Sequence, residues 1–135
     1  MKVWMGILAL VFASQSHAAC TAANFKGTWT MFQSNITAPN PHVGQCSMIV
    51  DKLANFTGQC ALYGAAEDPA NDPSFPVKGS IAVAKDCSAV ITQLDPNNAE
   101  IARYTIKLAT NKLSFAGRAA FTMGPSWGIS NGIKQ

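Results

Sequence analysis

Apolar and polar residues alternate with a period of two along almost all of residues 25–133, in eight short runs, and no stretch sustains a helical period. Successive side chains of a strand point to opposite faces, so each run is read as a strand with one apolar face to bury. On the first, Phe25, Gly27, Trp29 and Met31 share a side against Lys26, Thr28 and Thr30. The second spans 45–51, with Cys46, Met48 and Val50 inward, and the third 56–63, with Phe56, Gly58, Cys60 and Leu62 inward. The fourth and fifth cover 77–84 and 87–94. The sixth, 100–109, carries Ala102, Tyr104, Ile106 and Leu108, the seventh, 112–122, carries Phe115, Ala119 and Phe121, and the last covers 126–133.

Eight such strands with local connections are most economically closed into an antiparallel up-and-down barrel, because closure removes the two exposed edges of a flat sheet. A β-sandwich is the rival arrangement. In the barrel alternate connections share a rim. Residues 34–44, 64–76, 95–99 and 123–125 would surround one end, and 52–55, Lys85-Asp86 and Thr110-Asn111 the other. Long connections therefore gather at one end, as in a cup with a mouth.

Residues 1–18 read as a cleavable signal peptide, with Lys2, an uncharged apolar run from Val3 to Ala13, and Ser16-His17-Ala18 ahead of a cut after Ala18. That run has eleven residues where a spanning helix needs roughly twenty, so no retained membrane anchor is expected. His17 argues against lipid attachment at Cys20. Residues 19–135 would then form one domain, in the periplasm or secreted. The formal net charge of +3 falls to +2 when Lys2 leaves, too slight a balance to mark a nucleic-acid partner. In an exported chain the four cysteines read as two disulfides, and their separations of 26, 14 and 27 lack the close pairs of a metal site. Cys46 and Cys60 lie on adjacent strands toward the open rim, and Cys20 and Cys87 near the closed one, which favours Cys46–Cys60 and Cys20–Cys87. Four cysteines formally allow two other connectivities.

The segment Phe25-Lys26-Gly27-Thr28-Trp29 resembles the opening Gly-x-Trp motif of the calycin barrels, which include lipocalins, fatty-acid-binding proteins and avidins. The resemblance implies a calycin-like barrel in which Trp29 closes one end of the interior. It departs from lipocalins where a late Arg often packs over that Trp, since the last strand here ends in Lys134, and from avidins in lacking their later tryptophans.

The search for catalytic chemistry is negative. His42 is the only histidine after the leader and sits beside Pro39-Asn40-Pro41, with no nucleophile and orienting group to make a triad. Glu67, Asp68 and Asp72 form no calcium-loop pattern, and no phosphate loop or zinc spacing occurs. No enzyme, metal or cofactor is expected. Asn35-Ile36-Thr37 and Asn55-Phe56-Thr57 match the glycosylation acceptor pattern, which is without meaning if the short leader is bacterial, the reading preferred here. The favoured function is an exported binding protein that holds a small apolar ligand at the open end. Met31, Met48, Leu62, Tyr104, Phe121 and Trp127 would line the upper interior, with Phe75 and His42 on overhanging loops. The same side chains would also serve to fill an eight-stranded interior. The alternative is an inhibitor or adhesion-type module that contacts another protein through rim loops, above all 64–76 with Phe75.

Overall fold

The structure, a computed structural model, describes residues 19–37, 41–64, 74–122 and 126–135. A short 3-10 turn, Ala22–Phe25, precedes β1 (Gly27–Asn35), β2 (His42–Val50), β3 (Asn55–Gly64), β4 (Ser74–Val83), β5 (Ser88–Leu94), β6 (Glu100–Leu108), β7 (Ser114–Phe121) and β8 (Ser126–Lys134). Each strand pairs antiparallel with the next, and β1 also pairs with β8 from Trp29↔Lys134 to Asn35↔Gly128. The result is a closed eight-stranded up-and-down barrel. The proposed signal peptide, Pro39-Asn40, the acidic residues Glu67, Asp68 and Asp72, and Met123-Gly124-Pro125 lie outside the described residues.

Strand starts and ends move where local chemistry decides them. Phe25 belongs to the 3-10 turn rather than to β1, because Gly27, at φ +126°, redirects the chain into the sheet. At the open rim β1, β2 and β4 all run further than the alternation indicates. In β1 and β2 the outer residues Gln33, Asn35 and His42 place polar groups on the inner face, so the apolar signal fades while the ladder continues, and in β4 the added inward residue is Phe75, next to Pro76.

The tight connections share one design. Asp51, Asp95 and Asn111 each turn a side-chain oxygen back onto a main-chain N–H, at 2.8 Å to Leu53, 2.8 Å to Ala99 and 2.9 Å to Leu113. Asp86 accepts from both the N–H (3.0 Å) and the hydroxyl (2.6 Å) of Ser88. Ala54, Cys87, Asn98 and Lys112 follow in the left-handed region, at φ between 61° and 70°. This is the pattern of a type I turn closed by a bulge residue.

The closed end is packed with aromatic rings. Phe25, Trp29 and Phe115 meet with centroids 5.5 to 6.4 Å apart, and the Trp29 indole donates to the Phe25 carbonyl at 2.6 Å. Lys134 lies 5.8 Å from the Trp29 ring centroid and donates to the Asn24 carbonyl. A lysine thus takes the place over the tryptophan where the resemblance looks for an arginine. A Cβ on Gly132 would sit 2.2 Å from the Phe115 ring, so glycine there makes room for the aromatic layer.

The cysteines pair Cys20–Cys87 and Cys46–Cys60. The first ties the segment before β1 to the β4–β5 turn, helped by the Cys20 N–H donating to the Lys85 carbonyl at 3.1 Å. The second joins directly opposed residues of β2 and β3. With sequence separations of 67 and 14, removing them releases about 4 and about 3 kcal/mol of loop-closure stabilisation in the chain-entropy model. Denaturant melts are expected to show Cys20→Ser/Cys87→Ser losing about 1 kcal/mol more than Cys46→Ser/Cys60→Ser. An equal or reversed order would mean that the shorter loop's link carries packing beyond its entropy.

Candidate functional site

The barrel interior changes character along its length. Toward the closed end it is apolar, with Trp29, Met31, Met48, Val50, Phe56, Ile91, Ile106 and Phe115 buried. Halfway up, a polar belt crosses it. The Tyr104 hydroxyl on β6 meets the side-chain oxygens of Gln33 on β1 and Gln93 on β5, and Gln93 donates to Cys60 Sγ at 3.2 Å. One hydroxyl has one proton. With the Gln93 nitrogen committed to the sulfur, Tyr104 donates to Gln93, and the Gln33 amide, turned by half a rotation, donates to Tyr104. All three residues are at least 94% buried.

Burial pushes the Tyr104 phenol well above its ordinary range, so the neutral hydroxyl is the stable form in the fold. Beside the belt, Ser130 on β8 faces inward opposite Gln33 and Gly117, is 2% exposed, and its Oγ has no hydrogen-bond partner among the described residues. Asn35 is also buried, its Oδ1 accepting from the Thr37 N–H and hydroxyl, so the first acceptor triplet points its asparagine into the barrel.

Above the belt lies the mouth. Leu62, Phe75 and Phe121 are half-buried there; Leu62 is the register partner of Gly44, Phe75 of Cys60 and Phe121 of Ala102, and Ala119 pairs with Gly128. Phe121 stacks edge-on between His42 (5.6 Å) and Tyr104 (6.4 Å), an aromatic series running from rim to belt. Phe75 and His42 are strand residues of β4 and β2, not loop residues: Phe75 opposes Cys60 and packs against the core. Met31 and Met48 are fully buried between the belt and the Trp29 end, which makes them core rather than mouth lining.

Trp127 is a correction. The β7–β8 register sets it beside the outward Ala120 and leaves it 56% exposed, with Ser126 and Gly128 turned inward. The whole of β8 is inverted in this sense. Its large apolar residues Trp127, Ile129 and Ile133 point out, while Gly128, Ser130 and Gly132 face the interior, where a Cβ on Gly132 would meet the Phe115 ring. Phe32, Val43, Tyr63 and Ile129 consequently line an apolar groove of about 320 Å³ on the outer wall.

The belt residues Gln33 and Gln93, with Ser130, carry no apolar signal, and a search for ring-lined cavities passes over them. Extending the parity of Trp29 and Met31 to Gln33, and of Ala89 and Ile91 to Gln93, is the sequence signal that identifies them as inward. Among the described residues no group of His, Cys, Asp or Glu is placed to hold a metal ion. The charged pairs Arg103–Glu100 (2.7 Å) and Lys107–Asp86 (3.0 Å) lie on the outside.

No protein-family model and no curated protein matches the chain. Among solved structures the chain is similar to a de novo designed fluorescence-activating β-barrel, with a TM-score of 0.51 and 16% identity over 84% of this chain and 96% of the designed one. At that identity the likeness is one of fold.

The belt makes stability depend on alkaline pH. A phenol whose folded pKa is raised favours folding fully below the ordinary tyrosine value of about 10, and that contribution is lost as pH rises above it, by up to about 1.4 kcal/mol per unit. Thermal melts from pH 8 to 11.5 are expected to fall more steeply for the native chain than for Tyr104→Phe. At pH 8 the phenylalanine variant is expected to be less stable by about 1–3 kcal/mol, because both glutamines lose a partner. Parallel curves for the two proteins would contradict the belt.

Proposed function

We propose that this is an exported, non-enzymatic binding protein that takes a small ligand with an apolar body into the mouth of the barrel. The observation that carries the reading is the asymmetry of the interior. One end is sealed by Phe25, Trp29 and Phe115, while at the other the partly buried Leu62, Phe75 and Phe121 share the inner face with the small residues Ala102, Ala119 and Gly128. Such a rim offers apolar contact to a guest entering from solvent, with Phe121 and His42 the side chains that swing aside to admit it. The pairing of all four cysteines is consistent with an oxidising compartment and supports export, together with the leader-like residues 1–18. The non-enzymatic reading rests on the chemistry of the interior groups, which are amides, hydroxyls and apolar side chains rather than a nucleophile with its base.

A protein partner is the second reading, favoured by one observation: Trp127, Ile129, Phe32 and Val43 are between 41% and 56% exposed on the same outer wall. Exposed apolar residues grouped on one face mark contact sites more often than isolated ones do. The rim-loop version of this reading loses its anchor, because Phe75 is an inward β4 residue partly buried against the core rather than an exposed loop side chain.

Native mass spectrometry of the protein purified from its own source tests both. A bound small molecule is expected, and Leu62→Lys is expected to reduce its occupancy at least about tenfold, since the lysine stem spans the apolar wall and brings a charge to it. A clean unliganded mass with a co-purifying protein would reject the mouth reading in favour of the outer wall.

A further inference from the structure

We infer that the mouth selects neutral amphiphiles that enter head-first, with a hydroxyl or carbonyl head seated on Ser130 at the polar belt and the apolar body held by Leu62, Phe75 and Phe121. This rests on the ligand-binding reading of the mouth and names its ligand class.

Ser130 carries the inference. A hydroxyl buried without a partner costs stability, and an alanine at that position would remove the cost with no change of shape. Ser130 is 2% exposed and its Oγ has no partner among the described residues, although it lies in register with Gln33, itself part of a connected network through Tyr104 and Gln93. A hydroxyl both donates and accepts, so Ser130 is matched by either an alcohol or a carbonyl oxygen. Gly128 and Gly132 flank it on β8, and Gly117 opposes it on β7, so no side chain from these positions competes for the Oγ.

The charge state of the head follows from what surrounds it. The inward groups at and around the belt are Gln33, Gln93, Tyr104, Ser130, the Cys46–Cys60 disulfide, Ala102 and Ala119, none of them charged. Among the described residues the lysine that reaches the interior side, Lys134, is at the opposite end over Trp29 with its ammonium engaged by the Asn24 carbonyl, and the titratable His42 stands at the rim, with the Phe121 ring between it and Tyr104. A carboxylate seated at the belt would be desolvated with no charged group of the described residues against it, which disfavours it by far more than one hydrogen bond returns. An alcohol loses little hydration and regains its hydrogen bonds there.

Isothermal titration of the full chain at pH 8 with three probes, 1-octanol, octanoate and toluene, tests the inference, with Ser130→Ala beside the native protein. 1-Octanol is expected to bind at least about tenfold more tightly than octanoate. Ser130→Ala is expected to weaken octanol about three- to tenfold, to leave toluene unchanged, and to raise the melting temperature of the unliganded protein. Equal affinity for octanol and octanoate would place the head in solvent and overturn head-first entry. Unchanged octanol affinity in Ser130→Ala would also overturn it, and would assign the hydroxyl to a trapped water. In both cases toluene binding would leave the mouth itself intact as a ligand site. If none of the three probes binds, the binding reading falls together with the inference.

Discussion

Pairing between β1 and β8 is the contact on which the rest of the molecule depends. It joins the beginning of the sheet to its end, so every strand has a partner on both sides, and it sets the register that aligns Trp29 with Lys134 and Gln33 with Ser130. Because side chains alternate, a slip of one residue in that pairing would turn the inner face of β8 outward. The lysine would leave the tryptophan ring, Ser130 would leave the belt, and Ile129 and Ile133 would be forced into space that Phe115 and Gln33 already fill. The inverted strand is therefore a consequence of closure around a crowded interior. The same inversion leaves apolar residues on the outer wall.

Closure also explains why polar groups can stand inside so small a barrel. A hydrogen bond across the interior is useful only if each member is satisfied, since a half-satisfied buried network is worse than an apolar one. Tyr104 reaches Gln33 and Gln93, and Gln93 reaches the disulfide sulfur, so the belt joins β1, β3, β5 and β6 side to side. Below it, packing is of the close apolar kind that confers stability. Above it, small residues such as Ala102, Ala119 and Gly128 share the inner face with the partly buried rings of Phe75 and Phe121. One barrel thus combines a stable base with a more accessible upper end, and the disulfides reinforce the base and the middle, Cys20–Cys87 at the closed end and Cys46–Cys60 next to the belt.

Much of this is local information and so was legible in the residues. Period-two alternation marks strands because a strand's side chains alternate whatever its neighbours are, and Asp or Asn followed by a left-handed residue marks turns because the capping bond closes within a few residues. The eight-stranded barrel follows from such signals together with the need to leave no edge unpaired, and the positions of the cysteines along those strands favour the pairing found, whereas Trp29 at a closed end is implied by the resemblance of its motif. The outer turns of β1, β2 and β4 were not legible in this way. The apolar rule fails where the interior itself is polar, and Gln33 or Asn35 then looks like the beginning of a loop.

The belt and the orientation of β8 belong to the tertiary structure alone. Gln33 and Tyr104 are 71 residues apart, and nothing near either one announces the other. They meet because closure brings β1 and β6 to opposite sides of a barrel narrow enough for two side chains to span. Trp127 has an apolar side chain and a strand around it, which by themselves favour burial, yet it is exposed because the space on its inner side is taken. Residues that alternate determine which faces can be buried; how much room remains inside, and therefore which face of the last strand is admitted, is decided only when all eight strands have closed on one another.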